Sequence, residues 1–226
     1  MPQKRQSDLQ REDDRPWDEN RWRGFLRESD LRAARYAELF ETLLDDPHRD
    51  LKIAREMGWS DGSASDERGP GYAADCEGAS DEVGLDEIDP NDPELLAEVE
   101  ADRRSLNAIP AYRWGRTLAS LVIKTLTPFN DVNDDRIAVA CEHALTPSAK
   151  IAAGHGIGYD DDAICGNIVC NTMALSAARK AHVEFSELKA DGVLPTAETD
   201  KILKRLDDLA TAIEARIAEL RARVTW

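Results

Sequence analysis

At the centre of the chain, residues 133–188 read NDDRIAVACEHALTPSAKIAAGHGIGYDDDAICGNIVCNTMALSAARKAHVEFSEL. This stretch predicts a helix, a turn and a second helix, because apolar residues recur at steps of three and four on both sides of a glycine-rich turn. The turn, residues 154–162, contains three glycines, a histidine, a tyrosine and three aspartates. We expect the fold, and any functional site, to be organised around this hairpin.

Each helix of the hairpin carries an apolar or small stripe. In the first helix it runs through Ile137, Cys141, Ala144, Ser148, Ile151 and His155; in the second it runs through Ile164, Ile168, Asn171, Leu175, Ala178, His182 and Phe185. Gly154 or Gly156 is expected to end the first helix. Asp160 is expected to cap the second helix, with Asp161 and Asp162 in its first turn, where carboxylates stabilise the helix N-terminus.

The last helix is predicted to begin at Pro195-Thr196 and to run almost to the end of the chain. Its apolar seam has nearly heptad spacing and consists of Ile202, Leu206, Leu209, Ile213, Ile217 and Leu220. Such a seam fits a bundle helix and also a two-stranded contact between copies. Upstream of the hairpin, residues 93–127 predict two helices with a break at Ile109-Pro110, because proline removes a backbone donor.

The N-terminal part predicts a first helix from about Trp17 to Leu44, whose arginines and acids alternate as on an ion-paired, solvated face. Residues 60–92 differ in composition, with eleven acids against one base (Arg68) and five glycines. The chain is therefore divided into a disordered tail (1–16), N-terminal helices (17–59), an acidic flexible loop (60–92) and a helical bundle core (93–226).

Composition favours helix over sheet. Aromatic residues make up 6% of the chain, and alanine and leucine dominate the apolar set. We therefore expect an all-α, antiparallel helical bundle with a long acidic loop, in which the N-terminal helix packs alongside the bundle or exchanges with a second subunit.

The net charge of −16 and the absence of any basic segment argue against a nucleic-acid partner. No run of apolar residues is long enough for a membrane span, and the N-terminus has no apolar signal core. A cytoplasmic location is therefore expected, with the four cysteines reduced.

The most promising cluster for chemistry lies at the glycine-rich turn. Binding residues are expected among His155, Tyr159, Asp160, Asp162, Asn167 and Asn171. A divalent metal could be held by His155, Asp160, Asp161 and Asp162, because nitrogen and carboxylate ligands suit such ions, and a His–Asp acid–base pair is a further option. In the structural alternative, the glycines make the turn, the aspartates cap the next helix, and Asn167 and Asn171 are buried amides that tie the hairpin together.

Known catalytic motifs are absent: the sequence contains no phosphate loop, dinucleotide fingerprint, Gly-x-Ser-x-Gly elbow or Glu-x-x-His pair. The leading hypothesis is therefore a helical interaction or regulatory protein without evident catalytic machinery, dimeric through its N-terminal or last helix or bound to another protein. The alternative is a metal-binding or acid–base enzyme that uses the turn at 154–162. A second alternative is a helical ribonuclease using Arg136 and His143, whose spacing fits the Arg-x4–6-His pair of HEPN-type ribonucleases.

Overall fold

A computed structural model describes residues 16–59, 93–129 and 134–225 of the chain. These residues form α1 (Glu19–Thr42), α2 (Arg49–Glu56), α3 (Pro93–Ala108), α4 (Pro110–Leu126), a 3-10 turn (Thr127–Phe129), α5 (Asp135–Ile157), α6 (Ile164–Ala190) and α7 (Thr196–Arg221). The described part of the chain contains no strand, so the expected all-α class is confirmed. The expected disordered tail, except for Pro16, and the expected acidic loop at 60–92 lie outside the described residues.

Helices α4 to α7 form a four-helix bundle. Helix α5 packs against α4 and α6, and α7 packs against α6 and α4, so that each helix contacts two neighbours. The run of α5 against α6 is antiparallel, because Arg136 pairs with Asp191 at one end of the hairpin and Gly154 approaches Asn167 at the other. A continuous core of aliphatic side chains and alanines, together with Phe185, fills the centre.

The apolar seam predicted for the last helix is confirmed in full. All six predicted residues of α7 are buried, between 0% and 7% exposed. The prediction for α6 is correct except at one position, where Ala181 is buried and His182 is only partly covered. The seam of α7 is thus part of the core of the bundle within one chain.

The stripe predicted for α5 is shifted by one residue over much of its length. The buried residues are Ile137, Ala140, Ala144, Pro147, Ile151 and Gly154. Small residues lie on this face because α5 approaches α6 closely: a Cβ added at Gly154 would lie 2.9 Å from Oδ1 of Asn167 and 3.0 Å from Cβ of Cys170. The smallest residues are therefore needed where the two helices are closest.

The ends of the two hairpin helices also differ from expectation. Helix α5 continues past Gly154 and Gly156 to Ile157, and Gly158 follows it with φ of +116°, a conformation that favours glycine. Helix α6 begins at Ile164 rather than after Asp160. The side chain of Asp160 therefore does not cap the helix; its carbonyl oxygen accepts hydrogen bonds from the backbone N–H groups of Ala163 and Ile164.

The described residues form two compact units, residues 16–24 with 99–129 and 134–225, and residues 25–59 with 93–98. In the first unit, the start of α1 is held by the bundle. A Cβ at Gly166 would lie 2.8 Å from the Trp22 ring, so the indole packs directly on the backbone of α6. Both carboxylate oxygens of Glu19 accept hydrogen bonds from Arg221, at 3.0 and 2.9 Å. These two hydrogen bonds hold the N-terminal end of α1 in place.

In the second unit, the rest of α1 packs lightly against α2 and the residues around it. Leu39 and Ile53 are its buried residues among those described. Trp59 stacks on Tyr36 with ring centroids 5.8 Å apart, and the guanidinium of Arg49 lies 4.4 Å from the centre of the Phe40 ring. Such a small core leaves most of α1 in contact with solvent.

Two of the cysteines are shielded from solvent, Cys165 fully and Cys141 in part. Burial raises the pKa of the thiols of Cys141 and Cys165, and the nearby carboxylates of Glu19 and Asp18 raise that of Cys165 further. Neutral, unreactive thiols are the expected result. In addition, none of the described helices has the length and apolar character needed to cross a membrane.

Candidate functional site

The glycine-rich turn places His155 and Tyr159 in direct contact. Nδ1 of His155 lies 2.5 Å from the phenolic oxygen of Tyr159, and the two rings meet edge to face. On the other side of the imidazole, Nε2 lies 3.2 Å from Oγ of Ser105 and 3.3 Å from Oδ1 of Asp102. The His155 side chain is 9% exposed, so these contacts largely define its environment.

One hydrogen bond of this group has a direction that its donor fixes. Nη2 of Arg216 lies 2.9 Å from the phenolic oxygen of Tyr159, and a guanidinium can only donate. The phenol therefore accepts from Arg216, and in the tautomer with Nδ1 unprotonated it donates its own proton to Nδ1 of His155. In the neutral imidazole the proton then lies on Nε2, which donates towards Asp102 and Ser105. The result is a directed chain from Arg216 through Tyr159 to His155 and α3.

A second arginine lies against the same tyrosine. The guanidinium carbons of Arg216 and Arg223 are each 5.3 Å from the centre of the Tyr159 ring. Nη2 of Arg223 donates to the Tyr159 carbonyl oxygen at 3.3 Å. The two arginines thus place two positive charges beside one tyrosine, in a chain whose net charge is −16.

The three aspartates of the turn are not arranged around His155. Asp160, Asp161 and Asp162 are exposed, and both nitrogens of His155 are engaged by Tyr159, Ser105 and Asp102. Across the described ranges, no three His, Cys, Asp or Glu side chains are grouped in a way that could hold a metal ion. The metal site at His155, Asp160, Asp161 and Asp162 stays a prediction that this geometry does not support.

Asn167 and Asn171 are buried amides, as the structural alternative expected. Each is 1% exposed. Asn167 donates through Nδ2 to the carbonyl oxygen of Gly158 at 2.9 Å, and Asn171 donates to both the backbone oxygen and Oδ1 of Asn167 at 2.9 Å. They tie the end of α5 to the first turns of α6, and so position the turn that carries Tyr159.

The arginine and histidine of the ribonuclease hypothesis each have partners that explain them structurally. Arg136 donates to both carboxylate oxygens of Asp134 and to Asp191, at 2.6 Å for the latter. Nδ1 of His143 lies 2.8 and 2.9 Å from the two oxygens of Glu184 on α6. His143 thus links α5 to α6, and Arg136 links the start of α5 to the residue that follows the C-terminal end of α6. The ribonuclease reading stays a prediction without support from this geometry.

Helices α1 and α3 each contain an exposed segment. Every residue from 27 to 38 of α1 is exposed, and so is every residue from 96 to 105 of α3. Apolar side chains in these segments include Leu31 at 73% exposed, Leu96 at 49% and Val99 at 55%. Helix α3 has no buried residue, which differs from its expected place in the bundle core. Both helices thus have faces without a covering layer among the described residues.

The residues that sequence reasoning missed are distant along the chain. Arg216 contacts Tyr159 across 57 positions, and Ser105 contacts His155 across 50. Both lie in helices with many polar residues, and the sequence alone does not show which of these residues contacts the turn. The seven-residue step between Arg216 and Arg223, which places both on one face of the helix end, is the one available signal.

Comparison of the chain with family models, curated proteins and solved structures finds no match.

Proposed function

We propose that this protein is a helical interaction or regulatory protein without catalytic machinery, and that it self-associates through the exposed segment of α1, residues 27–38. The observation that supports this is the exposure of every residue of the segment, roughly three helical turns, in which Tyr36 is the one that stacks on another described ring, that of Trp59. Isolated helices of this length are marginal in water, and most helical stability in proteins comes from packing of a face against something else.

Local ion pairs do not replace such packing. Arg32 lies 3.4 Å from Glu28 and Arg35 lies 3.0 Å from Glu38, but all four side chains are at least 49% exposed. Pairs of this kind contribute little because solvent and salt screen them. A covering partner would supply the missing stabilisation and would bury Leu31 together with the alanines beside it.

A second copy of the chain is the partner that charge favours. The segment carries three bases, Arg27, Arg32 and Arg35, and three acids, Glu28, Asp30 and Glu38. It is therefore neutral within a chain of net charge −16, so two copies can meet here with less repulsion than at an average part of the surface. A self-complementary contact of this type gives a closed dimer. Since α7 uses its seam internally, α1 is favoured over the last helix.

Sedimentation equilibrium at micromolar concentration tests this function. The wild-type chain should sediment as a dimer, and Leu31→Glu with Ala34→Glu should sediment as a monomer, because two carboxylates would be brought into the contact. Val183→Glu is the matched control, since Val183 is an apolar residue of α6 that is 56% exposed. A wild-type chain that is strictly monomeric over this range, or equal behaviour of both variants, would contradict self-association through α1.

A further inference from the structure

The two arginines around Tyr159 have more hydrogen-bond donors than the protein satisfies. Nε of Arg216 is buried and has no hydrogen-bond partner. Its Nη1 has a long contact of 3.5 Å with Glu219, whose side chain is 70% exposed. Arg223 forms no ion pair with any of the described residues, and its Nη2 donates to a backbone carbonyl. An arginine presents five N–H donors and no acceptor, so the exposed Arg223 keeps free donors for an external group, whereas Nε of Arg216 is unsatisfied but buried.

The acceptors at this place are already occupied. The phenolic oxygen of Tyr159 accepts from Arg216, and Nδ1 of His155 accepts from the phenol. A ligand at the arginines must therefore bring acceptors and negative charge of its own. Oxyanions do so, and arginine binds phosphate especially well because its planar fork matches two phosphate oxygens.

From the unsatisfied donors of these two arginines, we propose that the Tyr159 cluster, defined as Tyr159, His155, Arg216 and Arg223, binds a single phosphate group, either free or as the monoester of a small molecule. Arg216 and Arg223 are its ligands. Tyr159, which contacts His155, is in contact with both guanidiniums.

The overall charge of the chain limits the class of ligand. A net charge of −16 repels polyanions such as RNA and anionic membrane surfaces over distances beyond contact range. A small ligand with one phosphate contacts the two arginines directly, and salt screens charges farther away than roughly 10 Å. The exposed carboxylates of Asp160, Asp161 and Asp162 follow Tyr159 in the turn and oppose this attraction. The cluster therefore fits a small phosphorylated compound or inorganic phosphate.

Calorimetric titration of the full chain with inorganic phosphate and, separately, with phenyl phosphate tests the site. Both titrations are made at constant ionic strength, with sodium chloride as the blank. A saturable one-to-one heat with either probe supports the site. A monoester that binds more tightly than phosphate shows that the organic part contributes, and equal binding shows that the phosphate group alone is recognised.

Variants separate this site from general charge effects. Arg223→Gln and Arg216→Gln should each weaken binding about tenfold or more, since each removes a charge-assisted hydrogen bond. Arg205→Gln should leave it unchanged; Arg205 lies on the same helix and stacks on Trp114 at 4.8 Å, outside the cluster. Arg223 is exposed just beyond the end of α7, so its variant tests the site even if Arg216→Gln fails to fold.

Absence of saturable heat with both probes would overturn the site. An equal loss of binding in Arg205→Gln, or unchanged binding in Arg223→Gln, would do the same. Repeating the titration on Leu31→Glu keeps this result separate from self-association, because that variant changes α1 and leaves the Tyr159 cluster intact.

Discussion

The phenolic oxygen of Tyr159 lies 2.5 Å from Nδ1 of His155, and it also accepts a hydrogen bond from Arg216. One side chain in the turn thereby joins the end of α5 to α7, and His155 extends the connection to Ser105 on α3. Residues from three helices thus depend on a single phenol.

Removal of that phenol should weaken the fold. Tyr159→Phe leaves Nη2 of Arg216 and Nδ1 of His155 without this partner, so we expect a loss of about 1–2 kcal/mol in the free energy of unfolding, measured by urea denaturation. ¹⁵N NMR of the wild-type ring should show the proton of neutral His155 on Nε2, and this preference should diminish in the variant. Tyr112→Phe is the control, because no hydrogen bond involves the Tyr112 hydroxyl within the described structure; an equal loss there would contradict the role of Tyr159.

Two glycines of α5 provide a matched test of the close approach to α6. Gly154→Ala would place a Cβ 2.9 Å from Asn167 and 3.0 Å from Cys170, and should destabilise the fold by about 1–3 kcal/mol. Gly156→Ala has no atom within 4 Å of the added Cβ and should stabilise it by up to about 1 kcal/mol, because alanine is the better helix former. Thermal unfolding of both variants measures the difference. The same effect at both positions would show that packing at Gly154 is not tight.

The seam of α7 should be sensitive to loss of volume. Leu209 is fully buried in the bundle, so Leu209→Ala should lower the free energy of unfolding by about 2–5 kcal/mol through lost burial and the cavity left behind. Lys204→Ala, at an exposed position of the same helix, should change it by less than about 0.5 kcal/mol. Chemical denaturation compares them. A small effect of Leu209→Ala would mean that this seam is not the core of a single chain.

The N-terminus of α5 should give the protein part of its acid sensitivity. Hydrogen bonds from the side chain and backbone N–H of Arg136 lower the pKa of Asp134 below its ordinary value of 3.8. A lowered folded pKa stabilises the fold above the unfolded pKa, and this stabilisation is lost as the pH falls through the folded value. Asp134→Asn keeps a capping side chain but lacks the charge.

Melting temperatures measured from about pH 6 to pH 2 should therefore fall less steeply in Asp134→Asn than in the wild type. Asp135→Asn serves as the neighbouring control, because the Asp135 side chain has none of these hydrogen bonds. Parallel acid profiles for the wild type and Asp134→Asn would contradict a folded-state interaction of this carboxylate.

Buried positions could be predicted best from the sequence where a helix buries large side chains at regular spacing. In α7, isoleucine and leucine repeat without interruption, and every predicted seam residue is buried. In α5, alanine, glycine and proline make up much of the buried face, so apolar character alone could not distinguish residue 140 from 141 or 154 from 155. Two helices that approach closely need small residues between them. A pattern of hydrophobic residues does not reveal which positions must be small.

The candidate site was predicted only in part for a related reason. His155, Tyr159 and the two asparagines lie within one hairpin, and local spacing placed them together. Arg216 and Asp102 reach the same point from helices far along the chain, and only the packed bundle brings them there. The end of α5 at Gly158 was also missed, because a lone glycine inside a helix and a terminating glycine look the same until φ is known.

Hydrogen exchange of residues 27–38, followed by mass spectrometry over a series of protein concentrations, is the most direct test of self-association through α1. If a second copy covers this segment, its amide protection should rise as the concentration passes through the dimerisation range, and it should stay low in Leu31→Glu with Ala34→Glu. The bundle helices α4 to α7 should stay protected throughout. Rapid exchange of residues 27–38 at every concentration, alongside a protected bundle, would contradict the proposed contact.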